Sequence, residues 1–119
     1  MSVQDLSHQL AQALKESPEY RRFLAAKGKA KADEANSRML KNFQLKQWEI
    51  HQAQLLQQEV DEEKQRELEQ LYSLLSLNTS AREYLEAEFQ ISRLLNDVQT
   101  IIGDAIKDAM PIGFDEDEK

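Results

Sequence analysis

Two histidines, His8 and His51, are the side chains best suited to moving a proton or holding a metal near neutral pH. Neither belongs to an HxxxH or HExxH pattern, and no Glu stands three residues before either, so helix-borne zinc and di-iron sites are not expected. There is no Cys, which removes disulfides, thiolate nucleophiles and cysteine-held metals or clusters. Ser and Thr sit mainly where helices should begin, no GxSxG elbow occurs, and neither GxGxxG nor GxxxxGK[ST] offers a phosphate cradle. Acidic pairs are common but fall on helix faces that read as solvated. The expectation is a protein without catalysis, cofactor, metal or small-molecule substrate.

Charge is the remaining chemistry. The chain carries a net −7, yet residues 20–46 hold eight Lys and Arg against two acids, while residues 47–119 sum to −11. Within the basic segment Arg21, Arg22, Lys27, Lys29 and Lys31 could steer an acidic protein partner or pair with acidic helices of the same protein. Phosphate-driven binding of RNA or DNA wants basic residues clustered on one face. Here they are spread around a helix, and Tyr20, Phe23 and Phe43 are read as core residues, so autonomous nucleic-acid binding is not the expected role.

The elements that would carry these charges are helices. Three Gly and two Pro in 119 residues, with a surplus of Gln, Glu, Leu, Ala and Lys, describe an all-α chain. Val3, Leu6, Leu10, Ala13 and Leu14 make one stripe of a helix over 3–16. Ser17, Pro18 and Glu19 are an N-cap, a first-turn proline and a dipole-matched acid for a second helix. Gly28 and the following KADE predict a break, with Asp33 capping a third helix over 33–59. Asp61, Glu62 and Glu63 open a fourth, to about 76, and Asn78 or Thr79 caps a fifth over 79–109. That fifth helix has a seam, Tyr84, Ala87, Ile91, Leu94, Val98, Ile101 and Ala105, whose three-and-four spacing suits a left-handed helix pairing. Leu85, Leu95, Ile102, Ile106 and Ala109 widen it.

Length then bears on shape. At 1.5 Å per residue the third and fifth helices would run roughly 40 and 46 Å, longer than a globule of this size can hold. An elongated antiparallel bundle of about five helices over residues 1–110 is expected, with 111–119 a flexible acidic tail. The third helix is apolar on two sides: Met39, Phe43, Ile50 and Ala53 on one, Trp48 and Leu55 nearly opposite with Leu45 and Leu56 beside them. A helix covered twice implies a second cover, so Leu45, Trp48, Leu55 and Leu56 are read as a subunit contact in a homodimer or higher oligomer. The opening MSVQDLSHQL lacks the basic and apolar regions of a signal peptide, and no apolar run approaches the ~20 residues of a membrane span. A cytoplasmic protein is expected.

The order of parts resembles one family. A short helix, the SPEY cap, ADEANSRMLKNF, a Gln-rich helix, EVDEEKQRELEQL and NTSAREYLEAEFQISRLLNDVQTIIGDAI are similar to the YlbF/YmcA/YheA group of small helical proteins of Gram-positive bacteria, over residues 3–109. Its most telling stretches are Ala32-Asp33-Glu34 with Arg38-Met39 and Asn42-Phe43, and Tyr84-Leu85 with Ala87-Glu88. The resemblance implies a self-associating helical bundle with a regulatory, non-catalytic role. YlbF and YmcA act with YaaT in competence, sporulation and biofilm formation, a complex connected to the phosphorelay and to messenger-RNA processing by ribonuclease Y. Members of that complex bind iron–sulfur clusters through cysteines; this chain has none, so cluster binding does not carry over, and the cysteine-free YheA branch is the nearer likeness.

Overall fold

Each α-helix in the computed structural model, which describes residues 1–109, 111 and 112, begins on a side chain that accepts from a backbone N–H in its first turn. Ser2 caps α1 (Val3–Glu16) and Ser17 caps α2 (Pro18–Lys31), Pro18 opening the first turn. Asp33 caps α3 (Glu34–Leu55), Asp61 caps α4 (Glu62–Ser76) and Asn78 caps α5 (Thr79–Ala105), which a 3-10 turn (Lys107–Ala109) follows. These bonds satisfy N–H groups that a helix end otherwise leaves free, each worth about 1 kcal/mol. At α1 the cap is reciprocal, since Asp5 also accepts from the Ser2 N–H.

Three expected boundaries move. Gly28 does not break α2, which runs through it to Lys31. Ala26 and Ala30 on either side are buried, and that packing offsets the ~1 kcal/mol a helical glycine costs. The helix expected to reach residue 59 ends at Leu55, because Gln57 turns left-handed (φ 56°). The Gln58 N–H donates to the Ala53 carbonyl at 2.9 Å and that of Gln57 to Gln54 at 3.1 Å, a Schellman closure with glutamine where glycine is usual. The last helix ends at Ala105 instead of 109, as Ile106 leaves the helical region.

Packing joins the helices two by two. α2 runs antiparallel along α5, with Phe23 against Tyr84 (centroids 5.6 Å) and Arg22 Nη1 donating to Gln90 Oε1 at 2.9 Å. α3 runs antiparallel along α4, with Phe43 near Tyr72 (6.0 Å) and two crossed ion pairs, Lys46–Glu67 at 2.7 Å and Glu49–Lys64 at 3.3 Å. The arms, about 40 and 33 Å long, would exceed 70 Å end to end. The chain measures 47 × 39 × 15 Å, so they meet at an angle. Its 15 Å depth is that of two stacked helices, about 10 Å between axes plus their radii.

The core lies at the corner where the arms join. Leu75 and Ala81 are fully buried there with Ala30, Leu40 and Phe43, and Met39, Leu68, Leu71, Tyr84 and Leu85 close around them. Arg82 ties the corner by donating to the Ser76 carbonyl at 3.2 Å. Away from it burial fades: Ala87 and Ile91 of the α5 seam are covered, whereas Ile101 is 70% exposed. The surface totals 9625 Å² and the radius of gyration is 18.5 Å. A compact monomer of this mass would have about 6,600 Å² and about 13.5 Å. Full exposure of the eight residues outside the described set would account for less than half of that surplus.

Leu75→Ala should lower unfolding free energy by about 3–5 kcal/mol, since it opens a cavity where α2, α3, α4 and α5 meet, and urea denaturation reads it. Gln57→Gly should raise it by roughly 0.5–1 kcal/mol by relieving the left-handed strain. A fall at Gln57→Gly would mean that the side chain stabilises the turn.

Candidate interaction surface

The inner corner between the arms is built from α2, α3 and α5. Ala30 and Leu40 form its floor, and Gln44 of α3 reaches across, its Nε2 donating to Glu88 Oε2 at 2.6 Å and lying 3.4 Å from Tyr84 Oη. Lys27 and Lys31, four residues apart on α2, share a face and flank this hollow. Lys41 of α3 stands on its other side, and the cavity is about 350 Å³. Lys27 Nζ also lies 5.9 Å from the Phe23 ring centroid. Among the described residues none of the three lysines has a carboxylate within ion-pair distance. Three cations converge on one hollow whose nearest carboxylate, Glu88, is bonded to Gln44, and that balance favours an anionic visitor.

From Lys41 the same face of α3 turns apolar. Positions seven apart lie on one side of a helix, which places Trp48 and then Leu55 in line with Lys41. Leu45 and Leu56 flank them, and all four apolar side chains are more than half exposed. The opposite face carries Phe43 and Ile50, buried against α4. The helix is thus apolar on two sides, and among the described residues its second side stays more than half exposed.

The five basic residues singled out in the sequence do not form one surface. Arg22 and Lys29 face the other way, beside Glu83 and Glu86 of α5, where the chain supplies its own acids. Arg21 is exposed between the two groups. Only Lys27 and Lys31 join the corner, and the third member, Lys41, was missed. Its seven-residue spacing from Trp48 was the available signal. His8 and His51 are both exposed and far apart in the chain, His51 lying near Trp48 (ring centroids 6.3 Å). Among the described residues no group of three or more His, Asp or Glu is placed to hold a metal, and no helix is long and apolar enough to cross a membrane. The expected acidic tail lies largely outside the described residues.

A family model described as control of competence regulator ComK, YlbF/YmcA, matches residues 3–107. A UPF0342 protein of Desulfitobacterium hafniense is 58% identical over 119 residues, covering 100% of this chain and 96% of its own. Among solved structures, a protein of unknown function (DUF964) from Bacillus stearothermophilus superposes with TM-score 0.74 at 22% identity, covering 88% of this chain and 92% of its own. YheA from Bacillus subtilis gives 0.62 at 23%, covering 92% and 100%. Bacillus subtilis RicA, solved in complex with RicF, gives 0.57 at 20%, covering 90% and 95%.

Two groups near this surface tie stability to alkaline pH. The hydrogen bond to Glu67 raises the Lys46 ammonium above its usual 10.5, aided by the charges of Glu67 and Glu49. Burial, chiefly, raises the Tyr84 phenol above 10. Both folded pKa values exceed the unfolded ones, so their contribution is complete below about pH 10 and is lost as pH rises through the folded values. Urea unfolding from pH 9 to 12 should show a falling limb that Lys46→Met and Tyr84→Phe each flatten. An unchanged limb in both variants would place the sensitivity elsewhere.

Proposed function

The chain belongs to the YlbF/YmcA family, and on that premise we propose that it is a non-catalytic regulator that works by holding other proteins. The contact surface is the exposed side of α3, with Leu45, Trp48, Leu55 and Leu56 as apolar anchors and Lys27, Lys31 and Lys41 selecting an acidic partner. The observation that carries this reading is the continuity of the two: the α3 face that begins at Lys41, beside Lys27 and Lys31 of α2, runs on to four apolar side chains more than half exposed. Apolar anchors supply affinity once desolvated, and the charges set approach and choice of partner. That RicA, a protein of the same fold, was solved together with RicF supports a life in complexes. The subunit contact read from the sequence is this same face, so another copy is among the proteins it could hold.

By family, the process regulated is competence, sporulation or biofilm development. An RNA-associated role has less behind it. Three lysines at one corner neutralise few phosphates, and Arg22 and Lys29 face the chain's own acids, where a polyanion would be repelled.

Capture from the native host tests the proposal, with the wild type set against a Lys27→Glu, Lys31→Glu, Lys41→Glu variant and against Trp48→Ala. The wild type should retain a protein that both variants lose. Since Trp48 is the single tryptophan, its emission should shift to the blue when that purified protein is added. Truncating a desolvated Trp anchor should weaken binding about 30-fold or more. Recovery of the same proteins by all three baits would overturn the assignment of this surface.

A further inference from the structure

The crook between the arms holds a second hollow that the proposed contact surface does not use. Phe43 and Gln47 of α3, Tyr72 of α4, and Leu85 and Phe89 of α5 line it, and its volume is about 540 Å³. Phe89 is 68% exposed and Tyr72 55%, so two aromatic rings meet solvent in a concave place, as a seat for an apolar anchor does. Arg82, Glu86 and Glu88 also line it, so it does not favour the acids of a ligand. Those are favoured next door. Gln44 lines the hollow of Lys27, Lys31 and Lys41, Glu88 lines the aromatic one, and the 2.6 Å bond between them forms a wall the two share.

The pair of hollows therefore asks for a segment with an apolar residue first and carboxylates shortly after. The spacing follows from α3. Gln47 in the aromatic hollow lies six residues beyond Lys41 in the basic one, about 9 Å along the helix. Three residues of extended chain cover about 10 Å. One segment of this chain has that order: Phe114 is followed directly by Asp115, Glu116, Asp117 and Glu118, with uncharged Ile112 and Gly113 ahead of it. With the Phe114 ring against Phe89 and Tyr72, Asp117 comes level with Lys41 and its neighbours come within reach of Lys27 and Lys31.

The segment of the same copy falls short of this seat. From Ala105, where α5 ends, back to Phe89 is about 24 Å. The five residues from Ala109 to Phe114 span at most about 18 Å. We infer that the crook of one copy takes residues 114–118 of a second copy. The inference rests on the three lysines of the proposed contact surface and adds their regulation, because an occupied crook withholds them from an acidic partner. Trp48, Leu55 and Leu56 take no part in it.

A zero-length carbodiimide cross-linker, which joins a carboxylate to a lysine only where they touch, tests the inference on the full chain. Unlabelled and heavy-isotope-labelled copies are mixed, cross-linked, digested and read by mass spectrometry. Amide bonds from Asp115–Glu118 of one isotope to Lys27, Lys31 or Lys41 of the other are the expected product. Phe114→Ala and Phe89→Ser each keep every carboxylate and lysine involved, and each should lower the yield at least tenfold. An excess of a peptide of residues 110–119 should do the same, and Trp48→Ala should leave the yield unchanged. Circular dichroism checks that the variants keep their helices. Tail carboxylates joined only within one copy, or to Lys46, Lys64 or Lys107 instead, or a yield indifferent to Phe114→Ala, would each overturn the inference. Such a failure would leave the α3 face standing if the host protein it captures is still lost with Trp48→Ala.

Discussion

A helix can bury its apolar stripe only as far as its neighbour extends. In this chain the neighbours are too short: α5 has 27 residues against 14 in α2, and α3 has 22 against 15 in α4. Most other features follow from that mismatch. Burial is concentrated where α2, α3, α4 and α5 overlap, at the corner around Leu75 and Ala81, and it declines along each arm. A slab two helices deep has no interior beyond the line of contact within each pair, which explains a surface far larger than that of a compact chain of equal mass.

The corner is also where the charge pattern acquires direction. Along α2 the basic residues look scattered, and on the isolated helix they are. Folding sorts them by which side of α2 meets α5. Arg22 and Lys29 are turned toward the acids Glu83 and Glu86, while Lys27 and Lys31 meet Lys41 across the angle between the arms. The acidic excess of the chain is thus partly used against its own basic segment. What remains is a small, directional positive hollow that opens onto the apolar face of α3.

Local signals in the sequence were strong for helix starts and weak for helix ends. Ser17, Asp33, Asp61 and Asn78 are side chains with one job at one position, and each stands where its type says. The ends were harder because no glycine marks them: Gln57 takes the left-handed position against its preference, and α2 passes through Gly28 because alanines on both sides are packed. The apolar half of the α3 surface was readable, since Trp48 and Leu55 lie opposite Phe43 on any helical projection. Its basic half was only half readable. Lys41 belongs to it through the angle between arms, a tertiary property that no single-helix periodicity contains. The unpaired end of the α5 seam was likewise hidden, because a regular heptad pattern does not reveal whether its partner is long enough.

The two arms also differ in how far apart in the chain their contacts lie. Lys46 meets Glu67 across 21 positions, whereas Arg22 meets Gln90 across 68. Loop closure for the second costs about 1 kcal/mol more, as each doubling adds about 0.6. Its contacts are therefore the less rewarded at an early stage of folding, and α3 with α4 is the natural nucleus on which the rest condenses. Until α5 has been made and has returned to α2, the first 31 residues of a growing chain have only the contacts of the end of α2, around Ala30, with α3 and α4. A nascent polypeptide of this kind emerges with its amino-terminal helices waiting on the last one to be synthesised.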